Sequence, residues 1–155
     1  MPKADSFIQS FLMHRNVLGG VLDNLTDKDL DFHPWDGAFS TADLVWHMLS
    51  STYTFASTAA SGAIGERPEK PVFTSIDELK NAAREWTEKT VETIRSMSDE
   101  QFNVSIDTTK MIGRDVTAGQ LLSIMRDHEI HHKGQLFVYA RLCGAQKLPL
   151  FIHAG

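Results

Sequence analysis

The chain has 155 residues, of which 42% are hydrophobic and 23% charged, a balance typical of a globular protein with one hydrophobic core. Its net charge of −5 and the scatter of its lysines and arginines along the chain argue against generic nucleic-acid binding, which needs a basic surface. No run approaches the ~20 apolar residues of a membrane span, and no signal-peptide pattern is present. With a single cysteine, Cys143, we expect one soluble domain over residues 1–155 in the reducing cytoplasm.

The first predicted element is an amphipathic helix over residues 4–25. Successive steps of four and three residues place one set of side chains on the same helical face, namely Phe7, Phe11, His14, Leu18, Val21 and Leu25. From Thr26 to Phe39 this periodicity is lost, and the His33-Pro34 and Asp36-Gly37 pairs indicate a loop.

Capping signals mark the start of the next two helices. Ser40 or Thr41 can cap a second helix, with Asp43 in its first turn, and we expect this helix to end near Gly62. Ser75 and Glu78 have the spacing of a capping box, which predicts a third helix with a stripe that reaches about residue 97.

Residues 98–116 have mixed patterning, which fits a helical turn and a short extended pair around Val104–Ile106 and Met111–Ile112. Thr117 and Gln120 form a second capping box, which predicts a fourth helix from there to about Arg141 with Gly144 at its C-cap. The apolar tail beyond Gln146 should dock on the body of the protein or on a partner chain.

Four amphipathic helices of about 20 residues and no convincing sheet predict an all-α four-helix bundle. The connection between the third and fourth helices is the longest. This length suggests a departure from simple up-down-up-down order.

The inward face of the fourth helix is apolar at both ends and polar in the middle. Its members follow steps of four and three and are Leu121, Met125, His128, His132, Gln135, Tyr139 and Leu142. Burying two imidazoles and an amide without partners would cost a few kcal/mol. A metal ion would satisfy His128 and His132, which lie one turn apart. The alternative is that both are hydrogen-bonded core histidines.

A third ligand has to come from another helix. His47 is the best candidate because it shares a helical face with Leu44, Ser51 and Phe55, and His14 on the first helix is the alternative. If His14 is not a ligand, we expect it to line the pocket or to be an ordinary core histidine. Three neutral imidazoles with an open fourth position are typical of catalytic zinc, and they also suit nickel, copper or ferrous iron.

The remaining histidines are poorer candidates. His131 lies about 100° around its helix from the adjacent residues Ile130 and His132, so it does not share the inward face. His33 and His153 lie in the predicted loop and tail, where we expect them to be solvated. Cys143 lies eleven residues beyond His132, or some 16 Å along a helix. It is therefore predicted to be a core thiol rather than a ligand.

The five residues His128–His132 match the H-E-x-x-H pattern of zinc proteases, with Glu129 as general base. Those enzymes take a third ligand from downstream, but no Asp or Glu follows His132 and the only later histidine is His153. A protease is therefore the least favoured function. Glu129 lies one step off the inward face, where we expect it to be solvated or to orient a ligand imidazole. Asp43 and Asp127 are the other carboxylates considered for the orienting role.

Two segments of the chain resemble the DinB-like (DinB/YfiT) metalloprotein superfamily. One is Leu44–Met48 (LVWHM) after a proline-containing loop, and the other is Asp127–Leu136 (DHEIHHKGQL). The resemblance implies an up-down-down-up four-helix bundle, commonly a homodimer, with a divalent metal held by three histidines. Carried onto this sequence, those ligands are His47, His128 and His132.

Some members of that superfamily are thiol S-transferases or isomerases that use low-molecular-weight thiols such as bacillithiol or mycothiol. The resemblance therefore implies a metal-dependent transferase or hydrolase acting on a small molecule. Gln135, one turn beyond His132 on the same helix, is a candidate polar pocket residue. Zinc and nickel are the favoured metals, and manganese and iron are alternatives. The competing hypothesis is a stress-linked binding protein in which the metal stabilises the bundle without turnover.

Overall fold

The computed structural model describes residues 1–154 and is mostly helical, which confirms the predicted fold class. Six helices and two short strands occur in the order α1 (Lys3–Arg15), α2 (Val17–Leu22), α3 (Thr41–Ser61), α4 (Ile76–Arg95), β1 (Ser105–Ile106), α5 (Thr109–Ile112), β2 (Val116–Thr117) and α6 (Ala118–Leu142). Helices α1, α3, α4 and α6 form the bundle. No helix within residues 1–154 combines the length and the apolar character that crossing a membrane requires.

The first predicted helix is divided into two. Asn16 separates α1 from α2, and α2 ends at Leu22, three residues before the predicted end. The apolar periodicity continues across the break, so the sequence pattern alone indicates one helix. Gly19 and Gly20 weaken helix formation in the second half, and at Gly20 the chain packs closely, since a Cβ there would lie 3.1 Å from Pro149 Cγ.

The helix caps follow the sequence signals with two differences. Ser40 Oγ accepts a hydrogen bond from the Asp43 N–H, and Thr117 and Gln120 form a complete capping box. The predicted box at α4 is only half formed, because the Glu78 carboxylate binds the Thr74 N–H and hydroxyl. Cys143 caps the C-terminus of α6, and Gly144, one residue later, has the positive φ of 103°.

The region between α4 and α6 contains the predicted turn and extended pair, but one strand was placed wrongly. Glu100–Asn103 form a 3-10 turn, and β1 pairs antiparallel with β2 so that Ile106 lies opposite Val116. Residues Met111–Ile112, predicted as the second strand, belong to α5. A single apolar pair does not distinguish a strand from a helical turn.

Hydrogen bonds between helices define the direction in which each helix runs. Ser10 accepts from Arg126, and Lys133 lies beside His14, so α1 and α6 run parallel.

Helices α3 and α4 run the other way. The Lys3 N–H, at the start of α1, donates to Asp99, which lies just beyond α4. The Tyr139 hydroxyl, near the end of α6, donates to the Phe39 carbonyl, just before α3. The connectivity is therefore up-down-down-up.

The core consists of two apolar clusters separated by a polar layer. One cluster is formed by apolar residues of α2, α3 and α6, among them Leu18, Leu22, Leu44, Leu49, Leu136 and Ala140. The other includes Phe7, Phe11, Ala56, Leu121, Leu122 and Met125. Between them, each bundle helix contributes polar side chains: Arg15, His47, Ser51, Thr52, Thr87, Thr90, His128, Glu129 and His132. The histidines of the sequence prediction therefore lie in a polar layer across the middle of the bundle.

The C-terminal segment docks on the body of the protein. Leu148 packs against the first apolar cluster, and the His153 N–H donates to the Met13 carbonyl at 2.7 Å. Leu150 and Phe151 remain exposed. The tail thus contacts the α1–α2 side of the bundle.

Candidate metal centre

Three histidine side chains meet in the polar layer. His47 comes from α3, and His128 and His132 come from successive turns of α6. The Nε2 atom of His128 lies 3.2 Å from Nε2 of His47 and 3.0 Å from Nε2 of His132. The three residues form a group that could hold a metal ion, with one nitrogen from each within 4.8 Å of the others.

This spacing fits a shared cation. Nitrogen ligands at 2.0–2.1 Å from a tetrahedral zinc ion are about 3.3 Å apart, close to the observed separations. Without a cation, Nε2 of His128 faces two other Nε2 atoms, and an imidazole nitrogen carries either one hydrogen or one lone pair. It therefore cannot satisfy both neighbours, whereas a cation accepts all three lone pairs.

The outer nitrogens of two of the three rings support this orientation. Nδ1 of His132 lies 2.7 Å from Oε1 of Gln135, and Nδ1 of His47 lies 3.4 Å from the Ser51 hydroxyl. Nδ1 of His128 is buried and has no partner within residues 1–154. Hydrogen on Nδ1 leaves each Nε2 lone pair free to face the centre of the cluster.

Gln135, rather than a carboxylate, orients a histidine of the cluster. Asp43 pairs with Lys70 instead, and within residues 1–154 neither Asp127 nor Glu129 hydrogen-bonds any of the three rings. The sequence prediction of an orienting carboxylate was wrong. The sequence signal for this contact was the polar residue Gln135, one helical turn beyond His132.

The histidines are neutral at physiological pH. Burial, together with the neighbouring imidazoles, lowers the pKa of both His47 and His128 to about 4. Burial also lowers the pKa of His132, although its hydrogen bond to Gln135 opposes this change. Because metal ligation requires the unprotonated imidazole, the protonation state of these three side chains at pH 7 is compatible with holding a cation.

Glu129 is fully buried in an ion pair, so the prediction of a solvated residue was wrong. Arg15 Nε lies 2.7 Å from Oε2 of Glu129, and Arg15 Nη2 lies 2.8 Å from Oε1. The guanidinium also donates to Thr52 and Thr87. Because both carboxylate oxygens accept from Arg15, Glu129 is not available as the general base of a zinc protease.

The other histidines lie outside the cluster. Nδ1 of His14 is 2.9 Å from Nζ of the buried Lys133, which makes His14 part of the polar layer but not of the three-nitrogen group. His131 is exposed, and Nδ1 of His33 contacts the Ala38 carbonyl at 3.0 Å. His47 is therefore the third member, as the sequence predicted, and its role as a ligand remains a prediction.

A cleft of about 540 Å³ adjoins the cluster. One wall is the loop before α3, with Trp35 and Phe39, and the other is the face of α6 that includes His132 and Gln135. The Phe39 ring stacks on the His47 ring with centroids 5.1 Å apart. Sequence reasoning missed Trp35 and Phe39, although two aromatic residues in a Pro- and Gly-containing loop were an available signal.

Comparison with known proteins identifies the family. The model of the DinB family matches residues 1–152. The chain belongs to the DinB family. The uncharacterised DinB-family relative YjoA of Bacillus subtilis (strain 168) is 35% identical over 151 residues, which cover 97% of each chain. A second uncharacterised protein of that organism, YrdA, is 22% identical over 90% of this chain and 83% of its own.

Solved DinB-like structures have the same fold. The crystal structure of YjoA from Bacillus subtilis superimposes with a TM-score of 0.84 at 32% identity, covering 96% of this chain and 99% of that one. A DinB-like protein from Bacillus cereus ATCC 10987 gives a TM-score of 0.79 at 24% identity, covering 94% and 95%. The helical bundle is therefore that of the DinB family.

Cys143 should be an unreactive thiol in this DinB-family bundle. Burial and the nearby Asp29 carboxylate raise its pKa from 9.0 to about 11. Since the thiolate is the reactive form and its nucleophilicity rises with its pKa, we expect the native protein to react with a disulfide reagent such as DTNB at pH 8 about tenfold more slowly than the urea-unfolded chain. The absorbance of the released thiolate measures both rates. Equal rates would show that the thiol is not protected.

Proposed function

We propose that this protein binds one divalent metal ion through Nε2 of His47, His128 and His132 and acts at that site as a thiol S-transferase or hydrolase on a small molecule. The observation that carries the proposal is the convergence of three neutral imidazole nitrogens, at 3.0 and 3.2 Å, beside an open cleft. Membership of the DinB family supports it, through the metal site that the family resemblance implies.

The donor set favours a catalytic rather than a structural ion. Structural zinc sites are closed by four protein ligands, whereas catalytic sites use three and leave one position open. A bound divalent cation would supply Lewis acidity and favour the deprotonated form of water or of a thiol. Because the three ligands are neutral, no protein carboxylate within the group reduces that positive charge.

The ligand type narrows the choice of metal. Imidazole nitrogen suits zinc, nickel, copper and iron, while manganese prefers oxygen donors. This argues against manganese, and among the remaining metals we favour zinc or nickel.

The surrounding residues hold the site in place. Gln135 fixes the orientation of the His132 ring, and Ser51 lies beside Nδ1 of His47 while its hydroxyl also donates to the His47 carbonyl. Phe39 covers one face of His47 and excludes water from it. These contacts fix the direction of two of the three imidazoles before any ligand arrives.

Removal of the metal separates catalysis from structural support. We expect the purified protein to contain about one zinc or nickel ion per chain by inductively coupled plasma mass spectrometry. Dialysis against a chelator should remove this ion while circular dichroism shows unchanged helicity, because two apolar clusters and the Arg15–Glu129 pair maintain the bundle. Thiol transfer from bacillithiol to 1-chloro-2,4-dinitrobenzene, with release of chloride, should require the ion.

Two results would contradict these expectations in different ways. Unfolding on chelation would indicate the competing function, in which a metal only stabilises a binding protein. Failure to take up zinc, nickel, manganese or iron would show that the histidines are polar core residues.

A further inference from the structure

The cleft between the loop before α3 and α6, here called the loop–α6 cleft, has the size of a small-molecule site. Its volume of about 540 Å³ lies within the 300–1,000 Å³ common for such sites. His132 and Gln135 form part of its wall, so a molecule bound there would contact the histidine cluster directly.

The loop–α6 cleft offers few polar groups to a ligand. Within residues 1–154, no Asp, Glu, Lys or Arg lines it. The Tyr139 hydroxyl already donates to the Phe39 carbonyl at 3.0 Å, and Oε1 of Gln135 already contacts His132. The wall is therefore suited to an uncharged, apolar body and would disfavour a charged one.

A cationic side chain approaches the cluster from a different segment. Arg67, in the loop after α3, donates to the Ser51 hydroxyl at 3.2 Å and is not part of the loop–α6 cleft. An anionic group would therefore find its partner at Arg67 rather than in the cleft.

Large apolar side chains surround the mouth of the cleft. Trp35, Val138 and Leu142 are each more than half exposed, and they meet at one opening instead of being scattered over the surface. A contiguous exposed apolar patch that surrounds a concave site marks a binding surface.

The loop that forms one wall is held in place before a ligand binds. Gly37 has a φ of +86°, a value that favours glycine. The Ala38 N–H donates to the Trp35 carbonyl at 3.2 Å, and the Thr41 N–H donates to the Phe32 carbonyl at 3.0 Å. Binding to a wall that is already ordered loses less conformational entropy.

We infer that the loop–α6 cleft binds the body of an uncharged aromatic or branched apolar small molecule and presents one end of it to His132. That this molecule is a substrate depends on the proposed function, whereas binding in the cleft does not. The volume of the cleft, about 540 Å³, and its continuity with the histidine cluster through His132 favour a small molecule over a second protein chain as its occupant.

The uncharged fluorophore N-phenyl-1-naphthylamine tests this inference on the full chain, because its emission rises when it leaves water. We expect saturable binding with one site per chain. Val138→Asp places a carboxylate in the apolar wall and should weaken binding at least tenfold. Val104→Asp is the matched control, since Val104 is 51% exposed and Val138 53% but only Val138 lines the cleft. The affinity of the control variant for the fluorophore should be within twofold of that of the original protein.

A second variant, Trp35→Ala in the opposite wall, should also weaken binding, and circular dichroism checks that all variants are folded. Unchanged affinity in folded Val138→Asp and Trp35→Ala, or equal weakening in Val104→Asp, would overturn the inference. So would a dimer by analytical ultracentrifugation that binds no probe and dissociates in Val138→Asp, because a second copy would then occupy the cleft.

Metal analysis of the same samples separates the two proposals. A protein that binds metal but not the probe would refute the cleft inference alone. A protein that binds the probe in the expected manner without retaining metal would refute the metal centre and support the cleft.

Discussion

Replacing Arg15 with methionine should lower the free energy of unfolding by about 3–5 kcal/mol, the cost typical of leaving one partner of a buried ion pair unpaired. Arg15 is 2% exposed and Glu129 is fully buried, so water cannot solvate the remaining carboxylate. Thr52 and Thr87 would lose a hydrogen-bond partner as well. Urea unfolding followed by circular dichroism measures the change.

Two further variants control this experiment. Lys89→Met breaks the exposed pair with Glu85 on α4 and removes the contact of Lys89 with the Trp86 ring, and it should change stability by no more than about 1 kcal/mol. The double variant Arg15→Met, Glu129→Leu removes both charges and should recover most of the lost stability. A loss in Arg15→Met no larger than in Lys89→Met would show that the pair is not truly desolvated.

Alanine at any one of the three clustered histidines should lower metal affinity more than about 100-fold. That figure is the upper range for loss of a group that merely supports a ligand, and here one of the three proposed ligands is itself removed. His47→Ala, His128→Ala and His132→Ala should therefore lose the ion on dialysis, and competition with a chromophoric chelator measures the affinity of each protein.

Histidines outside the cluster, and Gln135 beside it, supply the controls for the metal experiment. His131→Ala changes an exposed histidine next to His132. Its metal affinity should stay within a few fold of that of the original protein, and the same is expected of His14→Ala. Gln135→Leu should weaken binding about tenfold, whereas Gln135→Glu retains an acceptor for Nδ1 of His132. Equal loss of metal in His131→Ala and His128→Ala would contradict the three-histidine assignment.

Sequence periodicity predicted the bundle because apolar spacing and capping residues are local signals. Ser40 and Thr117 mark the starts of α3 and α6 correctly, and the i, i+4 spacing places His128 and His132 on one face. The same logic joined α1 to α2, because the break at Asn16 leaves the apolar periodicity intact.

Contacts between distant segments could not be predicted in this way. The Arg15–Glu129 pair joins residues 114 positions apart, and neither residue lies on an apolar stripe that periodicity detects. The approach of His47 to His128 also depends on how α3 crosses α6, which spacing within one helix does not determine. The cleft was missed for the same reason, since Trp35 meets α6 only in the folded chain.

Because the histidine cluster lies outside the two apolar clusters, substitutions can change its binding properties while the packing of those clusters is retained. Hydrophobic free energy resides in the apolar clusters on either side, while the groups able to bind a ligand lie between them. A chain built this way can exchange one ligand for another, such as a carboxylate in place of His47, without repacking either cluster. One bundle fold can therefore support sites for several metals and reactions, because the fold does not depend on any one metal or reaction.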